Sequence, residues 1–394
     1  MKQAVIYHPG LMQSRTGSAE ALLRNFARIL SESGEFMVWC WYDSGDVDPV
    51  LLEEFFNNQR IKLISFKCDG FKSAPPWAPK FIEPTLSEFI QLVGDFIYIG
   101  LVSAGDQWPI TSFPSKVPLI LISPFGDFCS NGNLRCIYAS GMSNVEKLKI
   151  LKVPSPKILF NPIVVPPENL TRREKNGAKV IFGRVGRSTS YIFDPISILA
   201  FAKLESEFGD NVQYIYVNPS VEARELVSRM GLKQVVFLEW LSQDQLSDLY
   251  KTFDVFAHAR RDGETLGVSI AEAMLHGCAV ISHKSAVINE HLFLVRQPYG
   301  FVAEVDGVDE YYDAMKYLVL NSKKLPEIGA HARKFAIRYF DWSNVADEIL
   351  KDCITAYEYI KHPLPLEVRL WHRLLRLSYW YRIARRKLCS LPIF

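Results

Sequence analysis

Gly263-Glu264-Thr265-Leu266-Gly267-Val268-Ser269-Ile270-Ala271-Glu272-Ala273-Met274-Leu275-His276-Gly277-Cys278-Ala279-Val280-Ile281 places two carboxylates eight residues apart around a loop-to-helix junction. Asp254-Val-Phe-Ala-His258 reads as a strand before it and Ala279-Val-Ile-Ser282 as a strand after it. The spacing therefore predicts a crossover helix from Gly267 to His276, with Glu264 in the preceding loop. Glu272 lies four residues beyond Val268, so one helical turn carries it into the same groove. Free amides at Thr265 to Ser269 and the positive end of the helix dipole favour an anion such as a phosphate. Carboxylates on either side accept from hydroxyls. The ligand implied is part phosphate and part polyol, as a nucleotide sugar is.

Working outward, short apolar runs alternate with helical stretches, the pattern of parallel βα units. Strands are expected at Ala4–His8, Phe36–Tyr42, Lys62–Phe66, Phe96–Gly100, Pro118–Ile122 and Arg135–Tyr138. Leu22, Leu23, Phe26, Ile29 and Leu30 give the first helix one apolar stripe. A polar, proline-bearing stretch at 166–178 breaks the rhythm and reads as a linker. A second series starts at Lys179, with strands at Lys179–Phe182, Gln213–Val217, Val235–Leu238, Val255–His258 and Ala279–Ser282. The length of 394 residues suits two domains of about 180 residues each. The organisation expected is a first doubly wound domain at 1–165, the linker, a second at 179–342, a closing helix at 343–361 that packs back toward the first domain, and a tail at 362–394. Ligands in such folds bind at the carboxyl ends of strands.

The string E-x7-E followed by Ala-Met-x-x-Gly-x-x-Val-Ile resembles the donor-binding signature of the retaining glycosyltransferases of family 4. A lone E-x7-E would be explained as well by an amphipathic helix with two solvated acids; the flanking strands and the full string decide against that. The resemblance implies an α/β protein of GT-B fold, two facing Rossmann-like domains with a cleft between them. It also implies metal-independent transfer of a sugar from a UDP- or GDP-linked donor, with no further cofactor. By position, Glu264 touches the donor sugar, the amides of Thr265, Leu266, Gly267 and Val268 hold the diphosphate, and Glu272 binds the ribose hydroxyls.

Two further segments resemble parts of that family. Gly183-Arg184-Val-Gly186-Arg187 follows the first strand of the second domain, where glycine lets backbone approach a ligand and Arg offers a forked donor to phosphate. Arg184 takes the diphosphate-gripping role. The family's following Lys is absent, since Ser188-Thr-Ser-Tyr-Ile-Phe-Asp194 has none, and Arg187 is either its replacement or a surface charge. Gly17 and Ser18, after the first strand, correspond to the family's glycine loop with one glycine replaced, although an N-cap by Thr16 or Ser18 accounts for them equally. Acceptor contacts are weakly marked. Asp106, Trp108 and Asp127 follow expected strands and so reach the cleft, or else serve as turn and core residues. His258, at a strand end beside the Glu264 loop, is a further cleft candidate, and His8 reads as structural.

Charge is nearly balanced, 45 basic against 43 acidic residues, so nothing draws the chain toward nucleic acid. Seven scattered cysteines without a CxxC pair point to reduced thiols in the cytoplasm and to no structural zinc. Residues 366–394 carry seven Arg or Lys against one Glu, with Trp371 and Trp380 among them. This tail reads either as an anchor at the inner face of a membrane or as a helix docked on the protein's own surface. The acceptor expected is a glycan or lipid-linked saccharide, in polysaccharide or glycoconjugate synthesis. The alternatives are a catalytically silent GT-B scaffold or glycan-binding protein, encouraged by the missing Lys and altered glycine loop, and a nucleotide-sugar epimerase.

Overall fold

The computed structural model describes residues 1–13, 18–43, 47–66, 83–102, 113–124, 129–150, 155–167 and 179–360, with isolated positions between these stretches and part of 365–374. The chain clusters into two compact units, Met1–Asn161 joined by the segment that starts at Val345, and Pro162–Asn344.

In the first unit the strands are β1 (Lys2–Tyr7), β2 (Phe36–Asp43), β3 (Ile61–Phe66), β4 (Ile97–Leu101), β5 (Leu119–Ser123), β6 (Leu134–Ala139) and β7 (Pro156–Ile158). They form one parallel sheet in the order β3-β2-β1-β4-β5-β6-β7. Helices α1 (Ser18–Glu32), α2 (Pro49–Asn57), α3 (Glu83–Val93) and α4 (Met142–Ile150) alternate with the strands. The near-continuous apolar strands are what a sheet covered on both faces requires. The α1 stripe of Leu22, Leu23, Phe26, Ile29 and Leu30 is buried, as are Ala4, Val5 and Ile6 of β1.

The second unit has β8 (Val180–Val185), β9 (Val212–Val217), β10 (Val235–Leu238), β11 (Val255–Ala257), β12 (Gly263–Glu264), β13 (Ala279–His283), β14 (Ile288–Asn289) and β15 (Gly300–Ala303). Six of these form a parallel sheet, β10-β9-β8-β11-β13-β15, while β12 and β14 pair separately. Its helices are α5 (Ile196–Phe208), α6 (Val221–Met230), α7 (Gln243–Tyr250), α8 (Val268–Leu275), α9 (Val308–Leu320) and α10 (Leu325–Phe340). Each sheet reverses its strand order once, at β1/β4 and at β8/β11, and these switch points are where doubly wound sheets open a crevice for ligands. The strands expected from sequence are all present with ends within a residue or two, except that β8 runs three residues past the expected Phe182 and so takes in Gly183 and Arg184. The ones not anticipated, β7, β12, β14 and β15, are two to four residues long, too short to carry a readable period.

Helix α11 (Trp342–Glu358) crosses the unit boundary, and from Val345 it belongs to the first unit. Val345, Ile349, Cys353 and Ala356 bury one face. On the same helix Asp352 accepts from the Tyr138 hydroxyl at 2.5 Å and from Lys157 Nζ at 2.7 Å. The buried Tyr138 hydroxyl thereby finds the partner that its desolvation demands. Cys40, Cys129, Cys136, Cys278 and Cys353 are buried. Among the described residues no helix is long and apolar enough to cross a membrane.

Helix α8 is braced from below by α10. A Cβ built on Gly329 of α10 would sit 1.9 Å from the carbonyl oxygen of Gly277, just past α8, so the two backbones touch where only glycine fits. Four residues on, buried Arg333 donates to the Leu275 and Pro166 carbonyls, closing the last turn of α8 with a cation suited to the helix C-terminus. The obstruction at Gly329 is backbone, which cannot rotate away. Gly329→Ala is therefore expected to destabilise the protein by about 1–3 kcal/mol through overpacking, read as a lower denaturant midpoint in chemical unfolding.

Candidate active site at the second switch point

Strands β8 and β11 lie side by side, with Val255 opposite Phe182 and Phe256 opposite Gly183. Beyond their carboxyl ends come Gly186-Arg187 from β8 and the run His258 to Gly267 from β11. The structure thus brings Arg184, Arg187, His258, Glu264 and the start of α8 to one edge of one sheet.

Glu264 is more ordered than a loop residue. It belongs to the two-residue strand β12, where Gly263 faces Ile288 and Glu264 faces Asn289. Gly263 has φ 68°, and a Cβ there would fall 1.7 Å from the Ile288 carbonyl oxygen, so this crossing demands glycine. The Glu264 side chain is 22% exposed, with Oε1 at 3.3 Å from Arg260 Nη1 and 3.7 Å from His258 Nε2. Arg260 also clasps Asp262 through both carboxylate oxygens, at 2.6 and 3.0 Å, which fixes the guanidinium beside Glu264. Burial works to raise the Glu264 carboxyl, but His258, Arg260 and His291 together outweigh it and hold it at about 2.

Gly267 precedes α8 in a left-handed conformation, φ 62° and ψ 49°, and no side chain caps the helix. The helix runs Val268–Leu275, slightly shorter than the expected Gly267 to His276, and its first internal bond is Ala271 N–H to the Gly267 carbonyl at 3.0 Å. Thr265, Leu266 and Val268 are half-buried beside it. An uncapped helix start with a carboxylate just before it leaves amides and dipole available to an anion. Glu272, one turn in, is gripped from α7: Oε1 accepts from Gln243 Nε2 and Oε2 from the Tyr250 hydroxyl, both at 3.0 Å. Its burial pushes the carboxyl up, against the pull of those two donors.

The β8 end departs from expectation. Gly183 lies inside the strand, and a Cβ there would strike the Phe253 ring at 2.1 Å, so this glycine makes room for an aromatic core residue and not for a ligand. Arg184 turns inward at 6% exposure, its Nη1 reaching the Asp194 carbonyl at 3.3 Å and Ser197 Oγ at 3.4 Å, with the guanidinium 4.5 Å above the Tyr216 ring. Arg187 is exposed. In the first unit Asp127 is half-buried after β5, and His8 accepts from Gly10 N–H at 3.1 Å with Nε2 4.0 Å from Glu20. Burial lowers the His8 pKa, with Glu20 opposing and Arg24 assisting. Gly17, Asp106 and Trp108 lie outside the described residues; Ser18 opens α1, its side chain likewise outside the description.

Sequence reasoning passed over three residues here. His291, 1% exposed, meets Glu264 backbone through Nδ1 at 3.2 Å, and Ser282 Oγ sits between His291 Nε2 at 3.2 Å and His258 Nδ1 at 2.8 Å. Arg260 is the third, and its i,i+4 spacing to Glu264 was the available signal. His291 lies 27 positions from Glu264, beyond any local pattern.

With this geometry in place, comparison with known proteins gives a consistent result. Residues 174–335 match the family model of glycosyl transferases group 1. No curated protein matches the sequence at a significant level. Among solved structures, Anabaena HepE in complex with UDP and glucose superposes with a TM-score of 0.65 at 18% identity, covering 90% of this chain and 100% of that one. Sucrose-phosphate synthase from Thermosynechococcus elongatus gives 0.68 at 14% identity, covering 89% and 97%. A glycosyltransferase from Rickettsia africae ESF-5 gives 0.66 at 14% identity, covering 92% and 99%. At such identities the likeness is one of fold: two parallel-sheet α/β units, matching GT-B glycosyltransferase structures.

Burial and then the neighbouring His258 push the His291 imidazole down to about 3. The folded protein therefore keeps this ring neutral where the unfolded chain, near 6.5, binds a proton, so its contribution is present above pH 6.5 and is lost as pH falls toward 3. Unfolding titrations between pH 6 and 4 should show wild type losing about 1.4 kcal/mol per pH unit more than His291→Gln. Parallel slopes would remove the neutral buried imidazole from the account.

Proposed function

We propose that the protein is a retaining, metal-independent glycosyltransferase that moves a sugar from a UDP- or GDP-linked donor to a glycan or lipid-linked saccharide. The observation that carries this is the paired acids: Glu264 four residues before Val268 at the uncapped start of α8, and Glu272 one turn inside it, at the carboxyl edge of the switch-point strands. Both lie within the residues matched to glycosyl transferases group 1, and HepE, of like fold, was crystallised with UDP-glucose. On this reading Glu272 accepts from the ribose hydroxyls, and its clasp by Gln243 and Tyr250 holds the carboxylate in place for them. The α8 amides and Arg187 face the diphosphate, and Arg184 supports that edge from within.

Transfer with retention proceeds on one face of the sugar. The bond from the anomeric carbon to the leaving phosphate oxygen breaks, the acceptor oxygen forms its bond on the same side, and the acceptor proton passes to the departing phosphate. Such a step calls for stabilisation of the growing diphosphate charge more than for a protein nucleophile. The fixed cations and the helix dipole supply it, so turnover should persist in EDTA. The basic, Trp-bearing stretch 366–394 fits attachment to an anionic membrane surface, which would suit a lipid-linked acceptor; most of it lies outside the described residues.

Glu272→Ala should weaken UDP or GDP binding at least tenfold in calorimetry, since each hydrogen bond to a charged acceptor contributes about 1.5–3 kcal/mol. Glu264→Ala should instead cut turnover at nearly unchanged nucleotide affinity. Equal affinity in wild type and Glu272→Ala would sink the assignment.

Arg187→Ala should lower affinity for the nucleoside diphosphate far more than for the nucleoside. Arg184 is already committed to Asp194, Ser197 and Tyr216, which favours the silent-scaffold reading if Arg187 proves dispensable. In liposome flotation, the full chain should bind anionic vesicles at low salt, and a chain ending at Leu364 should not.

A further inference from the structure

Three buried groups link the backbone of Glu264 to its own carboxylate. His291 Nδ1 lies 3.2 Å from both the amide nitrogen and the carbonyl oxygen of Glu264. From His291 the chain of contacts runs through Ser282 Oγ, 3.2 Å from Nε2, to His258 Nδ1 at 2.8 Å. His258 Nε2, on a ring 4% exposed, has no hydrogen-bond partner and faces Glu264 Oε1 at 3.7 Å. Tyr311 of α9 donates to the His258 carbonyl at 2.9 Å and pins that residue from the far side.

A serine hydroxyl has one proton, and a neutral imidazole has one N–H, so the two rings cannot choose tautomers independently. In one direction the Glu264 amide donates to His291 Nδ1, His291 Nε2–H donates to Ser282, and Ser282 donates to His258 Nδ1. That leaves the N–H of His258 on Nε2, aimed at the carboxylate. In the other direction a bare Nε2 lone pair would confront an ionised carboxylate in a buried setting, which is repulsive. We infer that Ser282 and His291 are positioning residues that set His258 as an Nε2–H donor toward Glu264, so that this buried N–H holds the carboxylate ionised and turned to accept from a substrate hydroxyl. This rests on the proposed role of Glu264 in donor binding. His258 supplies the donor from behind, and Glu264, at 22% exposure, offers its carboxylate to the polyol.

The groups facing Glu264 are Arg260, His258 and His291; those facing His291 are His258, Glu264 and His283. The experiment compares wild type with Ser282→Ala, which breaks the relay, and Ser282→Thr, which keeps a hydroxyl. Long-range ¹⁵N NMR of histidine-labelled protein reads the His258 tautomer, with His258→Gln for assignment, and ¹³C NMR reads the Glu264 carboxyl titration. Nothing in these two measurements depends on a sugar donor. Expected are an Nε2–H imidazole in wild type, its loss in Ser282→Ala together with a higher Glu264 titration, and restoration of both in Ser282→Thr. An Nδ1–H or doubly protonated His258 in wild type, or an unchanged Ser282→Ala, would overturn the inference.

The third readout is hydrolysis of UDP-glucose. Ser282→Ala should turn over about tenfold more slowly with unchanged UDP affinity, the loss of about one hydrogen bond in the transition state. A wild type that binds neither UDP nor GDP and hydrolyses neither UDP-glucose nor a GDP-linked sugar, yet shows the expected tautomer, would overturn the glycosyltransferase reading and leave the relay standing.

Discussion

The carboxyl edge of the second sheet depends on one backbone crossing, the passage of Gly263 against the Ile288 carbonyl. No side chain fits there, and the left-handed backbone that the crossing needs is one that only glycine adopts cheaply. Because β12 is held to β14, the residue after Gly263 cannot swing with its loop, and Glu264 is delivered to one place. The same pairing carries the chain on from Asn289 to His291, which comes to lie against Glu264. A two-residue strand pair thus fixes a carboxylate, two imidazoles and a helix start relative to each other.

Around that crossing, the site is supported by elements that contribute little chemistry themselves. Tyr250 and Gln243 of α7 hold Glu272; Arg333 and Gly329 of α10 hold the far end of α8; Tyr311 of α9 holds the His258 carbonyl. Each acts on a main-chain or carboxylate oxygen through a donor or by close backbone contact. The result is a rigid platform that leaves the first amides of α8 open at the sheet edge, with His258 Nε2 buried behind the Glu264 carboxylate, a suitable arrangement for a ligand that must be held without reorganisation.

Much of this was legible in the sequence, for physical reasons. Strands covered on both faces announce themselves as apolar runs, and the string around Glu264 and Glu272 combines a period-3.6 helix with acids at fixed offsets, so α8 and its neighbours were placed to within a residue. What escaped depends on contacts distant in sequence. His291 and Ser282 carry no local signal, and β12 and β14 are too short for any period. Arg184 could be assigned to the right strand end, but its inward turn is decided by Tyr216, Asp194 and Ser197, which come from other elements. Gly183 reads as a ligand-facing glycine until Phe253 is seen to fill the space above it.

The closing helix has a consequence for the order in which the chain can become native. The first unit is discontinuous: its sheet is finished by Ile158, yet Tyr138 and Lys157 wait for Asp352, some two hundred positions later. The second unit lies wholly between those partners. During synthesis it can therefore complete its core while the first still presents an uncovered helix seat and a tyrosine hydroxyl without its acceptor. The segment made first is the last to be sealed, and the long loop closed by α11 makes that final step the one of highest contact order.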